Sequence, residues 1–161
     1  GEQACDDQGR TSTSIAAAEG HMTVLKAILT VAAEQPVVAA SGSAAASLLQ
    51  RLLRSRDARG FTPLHWAALR GHTHCASLLL AQGAEKDVGD ESGDSPLMLC
   101  SRARYHAVML ALLQAGAAPS VANNRGSTPL HAAVKNGDTA AVNILLQVID
   151  KYVYCDCFVG G

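Results

Sequence analysis

The sequence has few aromatic residues and no excess of either charge. Aromatic residues make up 4% of the 161 residues, whereas 48% are hydrophobic. A β-sandwich would need aromatic and β-branched side chains, so this composition favours short, closely packed helices rich in Ala and Leu. The formal net charge of −1 provides no global basic field, which argues against nucleic-acid binding and against attachment to an anionic membrane.

Long apolar runs and a disulfide framework are also missing. No apolar run approaches the roughly 18–20 residues that a membrane-spanning helix needs. The five cysteines are odd in number and scattered, which indicates a reducing compartment, the cytoplasm or alternatively the nucleus. Nothing at the start resembles a signal peptide. The chain begins at Gly1 instead of Met, and we expect it to be an expressed fragment of a longer protein.

A phrase of the type Thr-Pro-Leu-His recurs along the chain. It reads TPLHWAA from Thr62, SPLM from Ser95 and TPLHAA from Thr128. The glycine two residues before each phrase gives the period, since 33 residues separate Gly60 from Gly93 and Gly93 from Gly126. A unit of this length cannot bury its apolar face alone and must stack on copies of itself.

Each unit is predicted to contain two helices. Thr62 can cap the first helix of the second unit, Pro63 fits its first turn, and Gly71 can end it in a left-handed conformation. We predict one domain over residues 1–161. It comprises repeat one at about 6–33, a helical insertion at about 34–56, repeat two at 57–89, repeat three at 90–122 and repeat four at 123–154.

Three departures from the period carry their own predictions. Arg104 replaces the glycine of repeat three, which predicts a first helix that ends less sharply. No glycine follows Thr139 until Gly160, and the apolar spacing there predicts a last helix that extends to about Tyr154. The insertion has a helix break at residues 35–36, a joint at 41–43 and a leucine-lined helix at 48–53. It is either a binding element or an elaboration without function.

These motifs resemble the ankyrin repeat over about residues 6–150, most clearly in repeats two and four. That family combines a Thr-Pro-Leu-His turn, a short helix ending at Gly-His, a Leu-rich second helix, and Gly-Ala before an extended finger. The resemblance implies an all-α solenoid of stacked helix–turn–helix units with short β-hairpin-like fingers. It also implies protein–protein recognition.

Histidine and cysteine pairs suggest chemistry only at first sight. Zinc needs four ligands, but His72 with His74 and Cys155 with Cys157 are isolated pairs, so no metal or cofactor is predicted. The turn histidines of repeats two and four are expected to bond the threonine hydroxyl or neighbouring backbone and to link adjacent units. No activated nucleophile accompanies them, and we predict that the chain is not an enzyme.

In ankyrin-like stacks, partners are usually held on the concave side by finger tips and exposed positions of the first helices. The resemblance carries this role to Arg59, Phe61, Leu69 and Arg70 in repeat two, to Glu91, Asp94 and Arg102 in repeat three, and to Arg125, Ser127, Lys135 and Asn136 in repeat four. Arg70, Arg102 and Lys135 are predicted to align as a basic ridge suited to an acidic or phosphorylated segment. Ordinary solvated surface charge is the alternative interpretation.

The predicted function is therefore recognition of a protein partner through the concave face of a monomeric stack. The alternative is a regulatory or substrate-recruiting domain of a larger multidomain enzyme, such as a kinase, an acyltransferase or a ubiquitin ligase.

Overall fold

The computed structural model describes residues 5–34 and 48–156, with side chains up to residue 151. Helices follow one another through these ranges: α1 Ser12–Glu19, α2 Met22–Glu34, α3 Leu48–Leu53, α4 Pro63–Arg70, α5 Thr73–Ala81, α6 Pro96–Ala103, α7 His106–Gln114, α8 Pro129–Lys135 and α9 Thr139–Asp156. The first helices α1, α4, α6 and α8 pack in one row, and each also packs on the helix that follows it. The predicted all-α solenoid is confirmed. In the described ranges, no helix is long and apolar enough to cross a membrane.

The second helices and the insertion follow the sequence pattern closely. Helix α9 continues to Asp156, so the predicted extension of the last helix is confirmed. Helix α3 lies within the insertion and buries Leu52 and Leu53, while Leu48 stays 38% exposed. The predicted helix break and joint before it lie outside the described residues.

The threonine–histidine turns begin helices α4 and α8 as predicted. In α4, the Thr62 hydroxyl accepts the backbone N–H of His65, and the His65 ring accepts the backbone N–H of Thr62 at 3.1 Å. Thr128 and His131 form the same reciprocal pair at α8. These bonds satisfy two amide groups that have no partner inside the helix.

His65 also links its repeat to the next one. Its Nδ1 accepts the Thr62 N–H, so a neutral ring carries its proton on Nε2, which lies 3.1 Å from the Asp94 carbonyl oxygen of repeat three. Burial lowers the pKa of His65 below its ordinary value of 6.5. The predicted structural role of this histidine is confirmed.

Each finger is held by hydrogen bonds from its backbone to one polar side chain, an arrangement that was not predicted. We define the fingers as residues 6–10, 57–61, 90–94 and 123–127 and number their positions one to five. At position one, the Asp57 carboxylate accepts the backbone N–H groups of Arg59 and Phe61, both at 2.9 Å. Asp6, Asp90 and Asn123 make the same two bonds at the equivalent positions. The spacing of 33 residues between positions 57, 90 and 123 is the signal that could have revealed them.

Successive fingers are joined by one backbone hydrogen bond at each junction. Position two of a finger donates its N–H to the position-three carbonyl of the preceding finger. The bonds are Ala58 to Gln8 at 3.1 Å, Glu91 to Arg59 at 3.2 Å, and Asn124 to Ser92 at 3.0 Å. Gly60 permits this approach, since its φ is +76° and a Cβ there would come within 3.0 Å of the Glu91 nitrogen. The fingers are thus hairpin-like turns.

The predicted gradual end of α6 is wrong. The helix stops at Ala103, and Arg104 takes the left-handed conformation itself, with φ 65° and its N–H bonded to the Cys100 carbonyl. The Arg104 Nε lies 3.5 Å from the carboxylate of Asp138, so the residue that replaces glycine contacts the next repeat. Arg104 thus adopts a conformation that the side chain disfavours by roughly 1–2 kcal/mol, while its own N–H and that of Tyr105 both bond the Cys100 carbonyl.

We predict that Arg104→Gly raises the free energy of unfolding by roughly 0.5–1 kcal/mol, because it removes this strain but adds flexibility to the unfolded chain. Arg104→Ala is the control, since it loses the ion pair and keeps the strain. Chemical denaturation of the three proteins checks the prediction. A glycine variant no more stable than the alanine variant would contradict it.

We predict a second effect from the buried ring of His65. As pH falls below about 6.5, the unfolded chain takes up a proton at this residue before the folded protein does, and the free energy of unfolding decreases. His65→Met, which copies Met98 at the same position of repeat three, should flatten this part of the pH profile. Denaturant melts from pH 7 downwards give the comparison, with His131→Met as the matched control. A His65→Met profile as steep as that of the wild type would refute the assignment.

Candidate functional site

A cleft of about 600 Å³ opens between the fingers and first helices of repeats three and four. Its lining includes Met98, Asn123, His131 and Ala132 together with six of the predicted contact residues: Asp94, Arg102, Arg125, Ser127, Lys135 and Asn136. The structure therefore brings together these six candidates of repeats three and four, on the side where the fingers meet the first helices, whereas Glu91 does not line the cleft.

The cleft lies here because small side chains occupy positions that large ones fill in repeat two. Phe61 and Trp66 pack edge to face there, with ring centroids 5.3 Å apart, in a second apolar cluster with Ala18 and Leu99. Ser127 and Ala132 of repeat four hold the positions of Phe61 and Trp66, since they follow them by 66 residues, which is two periods. The aromatic volume is thus absent from repeat four, and a concave space remains.

The positive charges of the cleft are unequally compensated. The Arg102 guanidinium lies 2.8 Å from the Asp94 carboxylate, which also accepts a bond from the Asn123 amide at 2.7 Å. Arg125 and Lys135 are exposed, and neither forms an ion pair with another residue of the described ranges. The cleft therefore presents two cations that are available to a bound anion.

Two predicted contact residues are buried and do not face solvent. Phe61 is 7% exposed because its ring stacks on the His65 ring, with the two centroids 5.6 Å apart, and also contacts Trp66. Asp94 is 4% exposed. Its carbonyl accepts a hydrogen bond from the His65 ring, and its carboxylate accepts one from the Arg102 guanidinium. Both occupy finger position five, at the base of the finger, whereas position three lies at the tip. Their prediction as exposed contacts is wrong.

The predicted ridge loses one of its three members. Arg102 and Lys135 are one period apart, but the residue one period before Arg102 is Leu69, which packs against the second apolar cluster. Arg70 is exposed one residue further along its helix, about 100° around the axis, and it does not line the cleft. Arg59 lies at the tip of the finger of repeat two, also outside the cleft.

The histidine and cysteine candidates for metal binding have other surroundings. The His72 Nε2 lies 3.0 Å from the carbonyl oxygen of Ala18 in the preceding repeat. Among the described residues, no group of three or more acidic, His or Cys side chains could hold a metal ion. The Cys155 and Cys157 pair lies outside the side chains that the structure describes.

Family models of the ankyrin repeat match most of the chain. One, described as ankyrin repeats in three copies, matches residues 37–123, and a single ankyrin repeat matches residues 125–151.

Curated relatives carry the same repeats. The chain is 39% identical over 87 residues to ankyrin repeat and SOCS box protein 11 of Danio rerio. The aligned region is 53% of this chain and 29% of that protein. It is 39% identical over 94 residues to ankyrin repeat and SOCS box protein 16 of Mus musculus, covering 53% and 21%. An ankyrin repeat-containing protein of Treponema pallidum is 35% identical over 93 residues, covering 57% and 31%. The chain thus spans less than a third of the length of each of these relatives.

Proposed function

Because the chain belongs to the ankyrin repeat family, whose repeats are generally protein–protein interaction modules, we propose that it binds a protein partner in the cleft of repeats three and four. The bound segment is acidic or phosphorylated, and the proposal assigns no chemistry to the module itself.

The observation that carries this proposal is the pair of uncompensated cations. Arg125 extends from a finger tip and Lys135 from the end of α8, and both line the cleft. Asn136 also lines the cleft, and its amide donates to the Arg102 carbonyl at 2.9 Å. A carboxylate or phosphate that enters the cleft gains charge-assisted hydrogen bonds from both cations.

The shape of the cleft supports a chain segment as the ligand. Its volume of about 600 Å³ is within the range of ligand pockets, and it is partly open to solvent. Ser92 and Ser127 add hydroxyl groups at the finger side, and the partly exposed Ala132 adds apolar surface at the helix side. An extended peptide segment with an acidic residue next to a small apolar residue matches a cleft that is polar at the finger side and apolar at the helix side.

We predict that selection from a displayed random peptide library enriches acidic peptides. The double variant Arg125→Glu/Lys135→Glu should bind the enriched peptide about tenfold more weakly or worse, because two exposed attractions of roughly 0.2–1 kcal/mol each become repulsions. Added salt should weaken binding to the wild type more than binding to the variant, since salt screens exposed charges. Titration calorimetry measures both effects.

The matched control is Arg59→Glu/Arg70→Glu. It changes the net charge equally at exposed residues outside the cleft, and it should bind the peptide nearly as the wild type does. Enrichment of neutral or basic peptides, or equal weakening by both double variants, would show that general charge and not the cleft governs binding.

A second candidate function is favoured by the relatives. The names of two of them combine ankyrin repeats with a SOCS box, a further module, and the chain covers only 29% and 21% of their lengths. On this reading the chain is the recognition part of a longer multidomain protein, such as an enzyme that recruits substrates. Immunoblotting of the native source with an antibody against repeat two separates the two readings. A sole band near 16.7 kDa favours an independent module, and a larger band favours the multidomain protein.

A further inference from the structure

Asp94, which lines the cleft, is bonded to three repeats. Its backbone carbonyl accepts a hydrogen bond from the His65 ring of repeat two at 3.1 Å. One oxygen of its carboxylate accepts the Arg102 guanidinium of its own repeat at 2.8 Å, and the other accepts the Asn123 amide of repeat four at 2.7 Å. The side chain is only 6% exposed. The carboxylate is therefore held beside Arg102 from both sides of its own repeat.

This contact decides how much positive charge the cleft offers to a ligand. Arg102 is 54% exposed, but the Asp94 carboxylate balances its charge. Arg125 and Lys135 have no acidic partner within the described ranges. With histidine counted as neutral, the lining residues that the structure describes carry three cations and one carboxylate. The cleft thus has a net charge of two positive units, and Arg125 and Lys135 provide it.

The positions of these two cations are exposed inside the stack as well. Arg125 holds finger position three, where Arg59 and Ser92 are exposed although the next finger is bonded to each of them. Lys135 holds the position of Arg102, which is 54% exposed beside repeat four. Both cations therefore face solvent because of their positions in the repeat, and not because repeat four is the last one described.

A phosphorylated side chain matches this cleft better than a single carboxylate does. A phosphate monoester carries about −1.5 to −2 charge at pH 7 and has three acceptor oxygens, whereas an ionised carboxyl group carries a single charge and has two oxygens. The guanidinium of Arg125 and the ammonium of Lys135 are charged donors for such oxygens. The hydroxyl groups of Ser92 and Ser127 line the same cleft as further donors.

We propose that the cleft binds a phosphorylated residue of its protein partner, and that Asp94 sets this specificity by neutralising Arg102. The inference rests on the proposed function and narrows its ligand to a phosphate monoester. While Asp94 balances Arg102, the two remaining cations match one phosphate dianion in charge. Without the carboxylate, a third cation would be available, and the cleft would bind anions more strongly.

Three fluorescent peptide libraries test the ligand class on the wild-type chain. They share randomised flanks and differ only in one fixed central residue, which is phosphoserine, glutamate or serine. Fluorescence anisotropy should show that the phosphoserine library binds about tenfold more tightly than the glutamate library, since its central charge is about twice as large. The variant Arg125→Glu/Lys135→Glu should lose this preference, whereas the control Arg59→Glu/Arg70→Glu should keep it.

The role of Asp94 is tested by releasing Arg102. Asp94→Asn should bind the phosphoserine library about threefold more tightly than the wild type does, because one more exposed cation becomes available. Adding Arg102→Gln should cancel this gain, since the freed guanidinium is its source. Arg102→Gln alone leaves the carboxylate without its cation and should weaken binding, which tests the same pair if Asp94→Asn does not fold. Circular dichroism under the binding conditions identifies the folded variants.

The outcomes separate this inference from the function on which it rests. If the glutamate library binds as tightly as the phosphoserine library, and Arg125→Glu/Lys135→Glu weakens both, the phosphate specificity is overturned while the proposed function stands. If neither library binds more tightly than the serine library, the proposed function fails as well. The assigned role of Asp94 is overturned if a folded Asp94→Asn brings no gain, if the gain survives Arg102→Gln, or if Arg102→Gln alone leaves binding unchanged.

Discussion

Each repeat depends on the next one to complete the burial of its own side chains and the hydrogen bonds of its turn. The His65 ring is buried and donates to a carbonyl of repeat three, while His131 forms the same turn at the end of the described stack and is exposed. The local sequence is almost the same in the two turns. The difference in burial therefore comes from the neighbour and not from the turn.

The sequence predicted those features that local chemistry decides. The capping turns at Thr62 and Thr128 and the long last helix were all correct, because threonine, proline and histidine act on backbone groups within a few residues. The sharp end of α6 at Arg104 was not predictable in this way. Its left-handed conformation lets the N–H groups of Arg104 and Tyr105 bond the Cys100 carbonyl, although an arginine disfavours that conformation.

The candidate site was only partly predictable for the same reason. Arg102, Arg125, Lys135 and Asn136 do line one cleft, since the period alone places them on the same side of the stack. The burial of Phe61 depends on Trp66 beside it, which no repeat pattern specifies. The cleft itself exists because Ser127 and Ala132 are too small to fill the space, so its location follows from volumes and not from charges.

The dependence on neighbours is tested most directly by comparing Leu64→Ala with Leu130→Ala. Both leucines follow Thr-Pro, but Leu64 is 1% exposed and Leu130 is only partly buried. Denaturant melts at low protein concentration should show a loss of about 2–5 kcal/mol for Leu64→Ala, the usual range for a buried leucine. The loss for Leu130→Ala should be about half of that or less, because less of its apolar surface is removed from water. Equal losses would contradict the account, since they would mean that the repeat buries this leucine without its neighbour.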